Sequence, residues 1–169
     1  MAEYEFTIIA SGLDPEAEDF EQHFYDAGCD DATISFQKGH IIVDFAREAP
    51  SVDAAISSAI TAVRAAGATV DRVEPDPLVS MNDIAHRAGR SRQSISLYAQ
   101  GARREGFPAP VARVTSESPL WRWAAVANWL FRNRKITRKD LDFAVAVERA
   151  NEGIAAQAET AAEDARKAG

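Results

Sequence analysis

The stretch Ser80 to Gly101, SMNDIAHRAGRSRQSISLYAQG, limits the possible folds of this chain more than any other, because two helical patterns meet in it at a single glycine. Ser80 offers a side-chain acceptor to the free amides of a first helix, predicted over Met81 to Ala88 with Ile84, Ala85 and Ala88 facing inward. Gly89 supplies the turn, at a position where positive φ is often required and a Cβ would be strained. Ser91 caps a second helix, Arg92 to Gln100. Its Ile95, Tyr98 and Ala99 share a packed face and leave Arg92, Gln93, Ser96 and Gln100 directed elsewhere. On periodicity alone this is a helical hairpin with solvated polar residues.

Charge divides the chain. The formal net charge is −7, but residues 1 to 77 hold four basic groups against sixteen acids, whereas residues 80 to 135 hold ten basic groups against Asp83, Glu105 and Glu117. An asymmetry of this size points to two domains with different partners. Cys29 is the only cysteine, so no intramolecular disulfide is possible, and a reducing cytoplasm is the expected setting. No apolar run approaches the ~20 residues of a membrane span, and no membrane partner is expected.

Before Pro75-Asp76-Pro77, which reads as a linker, the elements alternate. Strands are predicted over Glu5 to Ala10, Ala32 to Gln37, His40 to Ala46 and Thr69 to Glu74, with Lys38-Gly39 as a hairpin turn. One helix is expected from an Asp14 cap, with Pro15 in its first turn, through Phe20, Phe24 and Ala27 to Gly28. A second runs from a Ser51 cap to Gly67. The order βαββαβ resembles a ferredoxin-like fold. That topology serves sensors, dimerisation modules and protein-binding surfaces alike, and all three stay open for residues 1 to 77. The lone Cys29, the unspaced acids Asp26, Asp30 and Asp31, and the scattered His23, His40 and His86 form no metal-ligand pattern. No phosphate-binding glycine loop or activated nucleophile is present either, so neither a cofactor nor an enzyme is expected.

Ile84, Ala85, Ala88, Gly89 and Ile95 stand where the helix-turn-helix of small bacterial and phage regulators has aliphatic, small, small, glycine and aliphatic residues, and the stretch resembles that motif. Downstream, GFPAPV and SPLWRWAAVANWL are similar to the ends of excisionase-like, AlpA-like and MerR-like regulators, so that the resemblance covers about Leu78 to Leu130. It implies a winged helix-turn-helix over residues 78 to 135. The wing would be Val111 to Val114, a polar turn at Thr115 to Ser118, and Leu120 to Trp123, and Trp121, Trp123 and Trp129 are expected in the core. Arg92, Gln93 and Ser96 would then read bases in the major groove, with Arg90, Ser91, Arg103, Arg104 and Arg113 on the DNA backbone.

Residues 136 to 169 form a C-terminal helix opened by a Thr137–Asp140 capping box, in which Phe143, Val147, Ala150, Ile154, Gln157 and Ala161 make a seam. That seam suits either a partner helix or the chain's own domain. The expected whole is an α+β protein that binds double-stranded DNA, as a homodimeric transcriptional regulator. Alternatives are an antitoxin or adaptor whose acidic N-terminal domain holds a protein partner, and a metabolite-sensing regulator.

Overall fold

Apolar residues at alternate positions build the first sheet of the protein, seen here in a computed structural model that describes residues 1–101 and 104–169. The chain is α+β and divides into two units, Met1–Pro75 with Ala146–Gly169, and Asp76–Val145. In the first, β1 (Ala2–Ser11), β2 (Ala32–Gln37), β3 (His40–Ala49) and β4 (Thr69–Glu74) form an antiparallel sheet in the order β2-β3-β1-β4. α1 (Phe20–Asp26) connects β1 to β2, and α2 (Val52–Ala65) connects β3 to β4. Gln37 pairs with His40 across a two-residue turn in which Lys38 and Gly39 both have positive φ, 53° and 81°, as the twist of a tight hairpin demands.

Phe6, Ile8 and Ala10 lie beside Ile41, Val43 and Phe45, all buried, with Phe6 and Phe45 opposed and stacked at 5.4 Å. A register shift between Ile9 and Ala10 leaves Asp71 unpaired on β4, which is why Val70 and Val73, three residues apart, are both buried. Phe20 and Phe24 of α1 and Ala55, Ile56, Ala59 and Val63 of α2 supply the helical part of this core. Ser51 caps α2 by accepting from Ala54 N–H at 3.1 Å.

Two expectations change here. α1 begins at Phe20, not after Asp14. Asp14 accepts from Glu16 N–H at 2.9 Å in a local turn, since Glu16, Glu18 and Asp19 give a helix nothing to bury before Phe20. The seam of the C-terminal helix, α6 (Arg138–Ala168), meets the chain's own domain, one of its two expected partners, and ends sooner than expected. In the first unit its Val147, Asn151 and Ile154 face the chain's own core. The Asn151 side chain accepts from Val73 N–H at 2.8 Å and donates to Val73 O at 2.9 Å, so it satisfies the exposed edge of β4. Gln157 is exposed and receives a hydrogen bond from Arg64 at 2.6 Å, and Ala161 is exposed. The apolar residues simply run out beyond Ile154.

The second unit contains β5 (Leu78–Val79), α3 (Met81–Ala88), α4 (Arg92–Ala99), β6 (Trp121–Arg122), α5 (Trp123–Arg132) and the first turns of α6. β5 and β6 pair antiparallel. Its core joins Val79, Ile84, Ala85, Ile95, Tyr98, Trp121, Trp123, Val126, Trp129, Leu130 and Leu141. Two indoles also act as donors: Trp121 Nε1 to Pro108 O and Trp129 Nε1 to Glu105 O, each at 3.0 Å. With Phe107 edge-on to Trp129 at 5.1 Å, they pin the irregular segment 105–110 to the core. The expected strand Val111 to Val114 reduces to a single bridge, Ala112 with Leu120. Arg113 is left-handed at φ 51° and Pro110 and Pro119 lack N–H donors, so a ladder cannot extend in either direction. Trp123 opens α5 instead of ending a strand.

Candidate nucleic-acid interface

α3 and α4 are set by their caps. Ser80 Oγ accepts from Asp83 N–H at 3.2 Å while the Asp83 carboxylate accepts from Ser80 N–H at 2.9 Å, a reciprocal box. The hydrogen bond from the Ser80 backbone holds the Asp83 carboxyl below its ordinary range. α3 ends with Gly89 at φ 61°, where Gly89 N–H donates to His86 O at 3.2 Å and Arg90 N–H to Ala85 O at 2.9 Å. Ser91 Oγ then accepts from Ser94 N–H at 3.1 Å and opens α4.

On α4, Ile95 and Tyr98 are buried, with Tyr98 against Trp129 at 5.1 Å. Ala99 is exposed, contrary to the expected packed face, and Leu97 is half-buried. Arg92 and Gln93 are exposed in the first turn, and among the described residues neither side chain has a hydrogen-bond partner. Ser96 is half-buried and its Oγ receives a weak hydrogen bond from Gln100 Nε2 at 3.3 Å. The expected base-reading trio thus sits on one short helix.

The other named residues are more dispersed. Arg90 is exposed between the two helices, while the Ser91 hydroxyl is engaged in capping and donates to Ser94 Oγ at 3.0 Å. Arg104 is exposed and donates from Nη1 to Asn133 Oδ1 at 3.1 Å. Arg113 is exposed where the 113–118 turn begins, its carbonyl accepting from Ser116 N–H and Oγ. Arg103 lies outside the described residues. Arg132, the last residue of α5, and Arg134 and Lys135, in the turn after it, count in the sequence only toward the basic surplus, yet they stand on the same unit and Arg132 and Arg134 are exposed. No sequence signal singles out Arg134, because the left-handed position after α5 holds no glycine to mark it.

In the first unit the polar chemistry is structural. Arg47 reaches Asp31 through Nε at 2.7 Å and Nη2 at 2.8 Å, and also donates to Gly28 O and Ser58 Oγ. This fork holds the Asp31 carboxyl below its ordinary range. Burial pushes the adjacent Cys29 thiol up to about 11. Among the described residues no group of three His, Cys, Asp or Glu side chains is arranged to hold a metal ion, and no helix is long and apolar enough to cross a membrane. A groove of about 320 Å³ lies between α2 and α6 in this unit, floored by Ile56, Ile60 and Ile154.

Comparisons with models of protein families, with curated proteins and with solved structures find no match to this chain.

Proposed function

We propose that the protein binds double-stranded DNA sequence-specifically, as a dimeric transcriptional regulator whose α4 enters the major groove. In this reading the second unit is a winged helix-turn-helix of the excisionase-like kind, with a wing reduced to one bridge, and the first unit is a ferredoxin-like domain. The observation that carries it is the first turn of α4: Arg92 and Gln93 are exposed and unpartnered among the described residues, directly after a serine cap and a left-handed glycine, on a helix anchored by Ile95 and Tyr98. An arginine donates two bonds to guanine, and a glutamine both donates to and accepts from adenine, which are the side-chain chemistries of direct readout. The basic surplus of residues 80 to 135 supplies the phosphate attraction that such readout needs.

The test is selection of bound genomic fragments, followed by fluorescence anisotropy on the enriched site and on scrambled DNA at matched salt. A preference of about 10³ or more for an inverted repeat supports a specific regulator. Gln93→Ala is expected to lose ~1–3 kcal/mol on the selected site and little on scrambled DNA. Equal losses on both sequences would remove the readout role from α4.

A second reading is favoured by the sixteen acids of residues 1 to 77: the first unit binds a basic protein surface, and DNA binding serves autoregulation in the manner of an antitoxin. Salt-sensitive DNA binding without sequence preference, together with co-purification of a basic partner, would favour it.

A further inference from the structure

Four helices hand the chain on through a glycine at positive φ: Gly28 after α1 at 102°, Gly67 after α2 at 97°, Gly89 after α3 at 61° and Gly101 after α4 at 72°. α5 differs. Lys135 N–H donates to Leu130 O at 2.8 Å and Arg134 N–H to Phe131 O at 3.0 Å, the same double closure that ends α3. Yet the residue in the left-handed position is Arg134, at φ 59°. A Cβ is strained there and glycine is not, so the local backbone argues against arginine. The side chain is exposed, so burial does not argue for it either. A strained residue that local structure does not require is where a functional demand should be sought.

The surroundings indicate what that demand is. Arg132 is exposed and Lys135 half-buried beside it, and the Arg104 hydrogen bond to Asn133 ties the segment following α4 to this same turn. Among the described residues Arg132, Arg134 and Lys135 have no ion-pair partner. The nearest acids along the chain are occupied: Asp140 accepts from Thr137 N–H and Oγ1 as a helix cap, and Asp142 accepts from Arg138 at 2.9 Å. The turn is thus a cluster of uncompensated cations on a frame fixed by two backbone hydrogen bonds.

We infer that the turn between α5 and α6 is a phosphate-binding site for the backbone of duplex DNA, with Arg134 as a direct contact and Arg104, Arg132 and Lys135 around it. This rests on the DNA-binding reading above and extends the interface to residues outside α4. Because phosphate contacts carry no sequence information, the site adds affinity and register, not base preference.

The experiment is the salt dependence of binding of the full chain to random-sequence duplex DNA, read by anisotropy alongside thermal melts. Arg134→Gly should melt at the parent temperature or above it, because strain is relieved, and still bind more weakly. Its affinity should fall about threefold to tenfold near 100 mM salt, and the slope of log K against log salt should shrink by about 0.9. Arg134→Lys, which restores the charge and not the guanidinium, should recover the slope. An Arg134→Gly slope equal to that of the parent, in a protein whose site preference Gln93→Ala still lowers, overturns this inference and leaves the DNA-binding reading standing. A lower melting temperature for Arg134→Gly would also overturn it, by showing that the arginine serves the fold. No duplex binding by the parent chain overturns both.

Discussion

Arg47 is the residue whose role sequence patterning hides most completely. It occupies the inward phase of β3, two positions beyond Phe45, where alternation calls for an apolar side chain. Its guanidinium instead reaches Asp31, Gly28 and Ser58, which binds the loop after α1 to β3 and α2. A half-buried cation in that position is stable only with its carboxylate. Asp31→Asn should therefore cost about 2 kcal/mol at neutral pH. Because the folded-state pKa of Asp31 lies below its unfolded value, this contribution is complete above the ordinary carboxylate range and is lost as pH falls through the lowered folded value. The stability gap between parent and Asp31→Asn in urea titrations should hold steady above about pH 5 and close at lower pH. Cys29 makes the opposite case, an acid held neutral: at pH 8 its alkylation should be at least about 100-fold slower in the native protein than in urea, as followed by mass spectrometry. Comparable rates in both would mean that the thiol is open to solvent in the folded state.

At the scale of elements, local signals located helix starts well wherever a serine or threonine cap stood before an apolar period. Ser51, Ser80, Ser91 and Thr137 all cap as their spacing predicts. Asp14 and Pro15 carry the same kind of signal and open no helix, because a cap only lowers the cost of a helix that burial must stabilise, and the five residues after Asp14 hold nothing to bury beyond Pro15 and Ala17. α6 shows the converse. Its heptad-like seam was legible, but the partner of that seam was not, since Asn151 meets Val73 from 78 residues away. Asn151→Ala should strip the β4 edge of its cover. The Val73 amide is then expected to exchange with deuterium at least tenfold faster, a loss of local stability of ~1–2 kcal/mol. Unchanged exchange at Val73 would show that the apolar contacts of Val147 and Ile154 alone hold α6 in place.

Over the whole molecule the two charge populations should respond to salt in opposite senses. Crowded carboxylates on the first unit repel one another, so added salt should raise its melting temperature, followed by hydrogen exchange at β1 and β3. On the DNA-binding reading proposed above, the same salt should weaken duplex binding through the second unit, steeply if six or more phosphates are contacted. A fall in first-unit stability between 50 mM and about 500 mM salt would show that its carboxylates are stabilised by ion pairs instead. What the sequence determined by itself was everything governed by near neighbours: strand alternation, the Lys38-Gly39 turn, the serine caps, Gly89 at the α3 end, and the burial of the three tryptophans. Only the tertiary structure decided where Arg47, Asn151 and the Trp121 and Trp129 indoles find their partners, how little of the segment expected as a wing is strand, and that α5 ends on a left-handed arginine. The physical reason is range: caps and periods act over three or four residues and leave a pattern in the sequence. Hydrogen bonds between residues far apart along the chain leave none, and exist only once the core has brought their partners together.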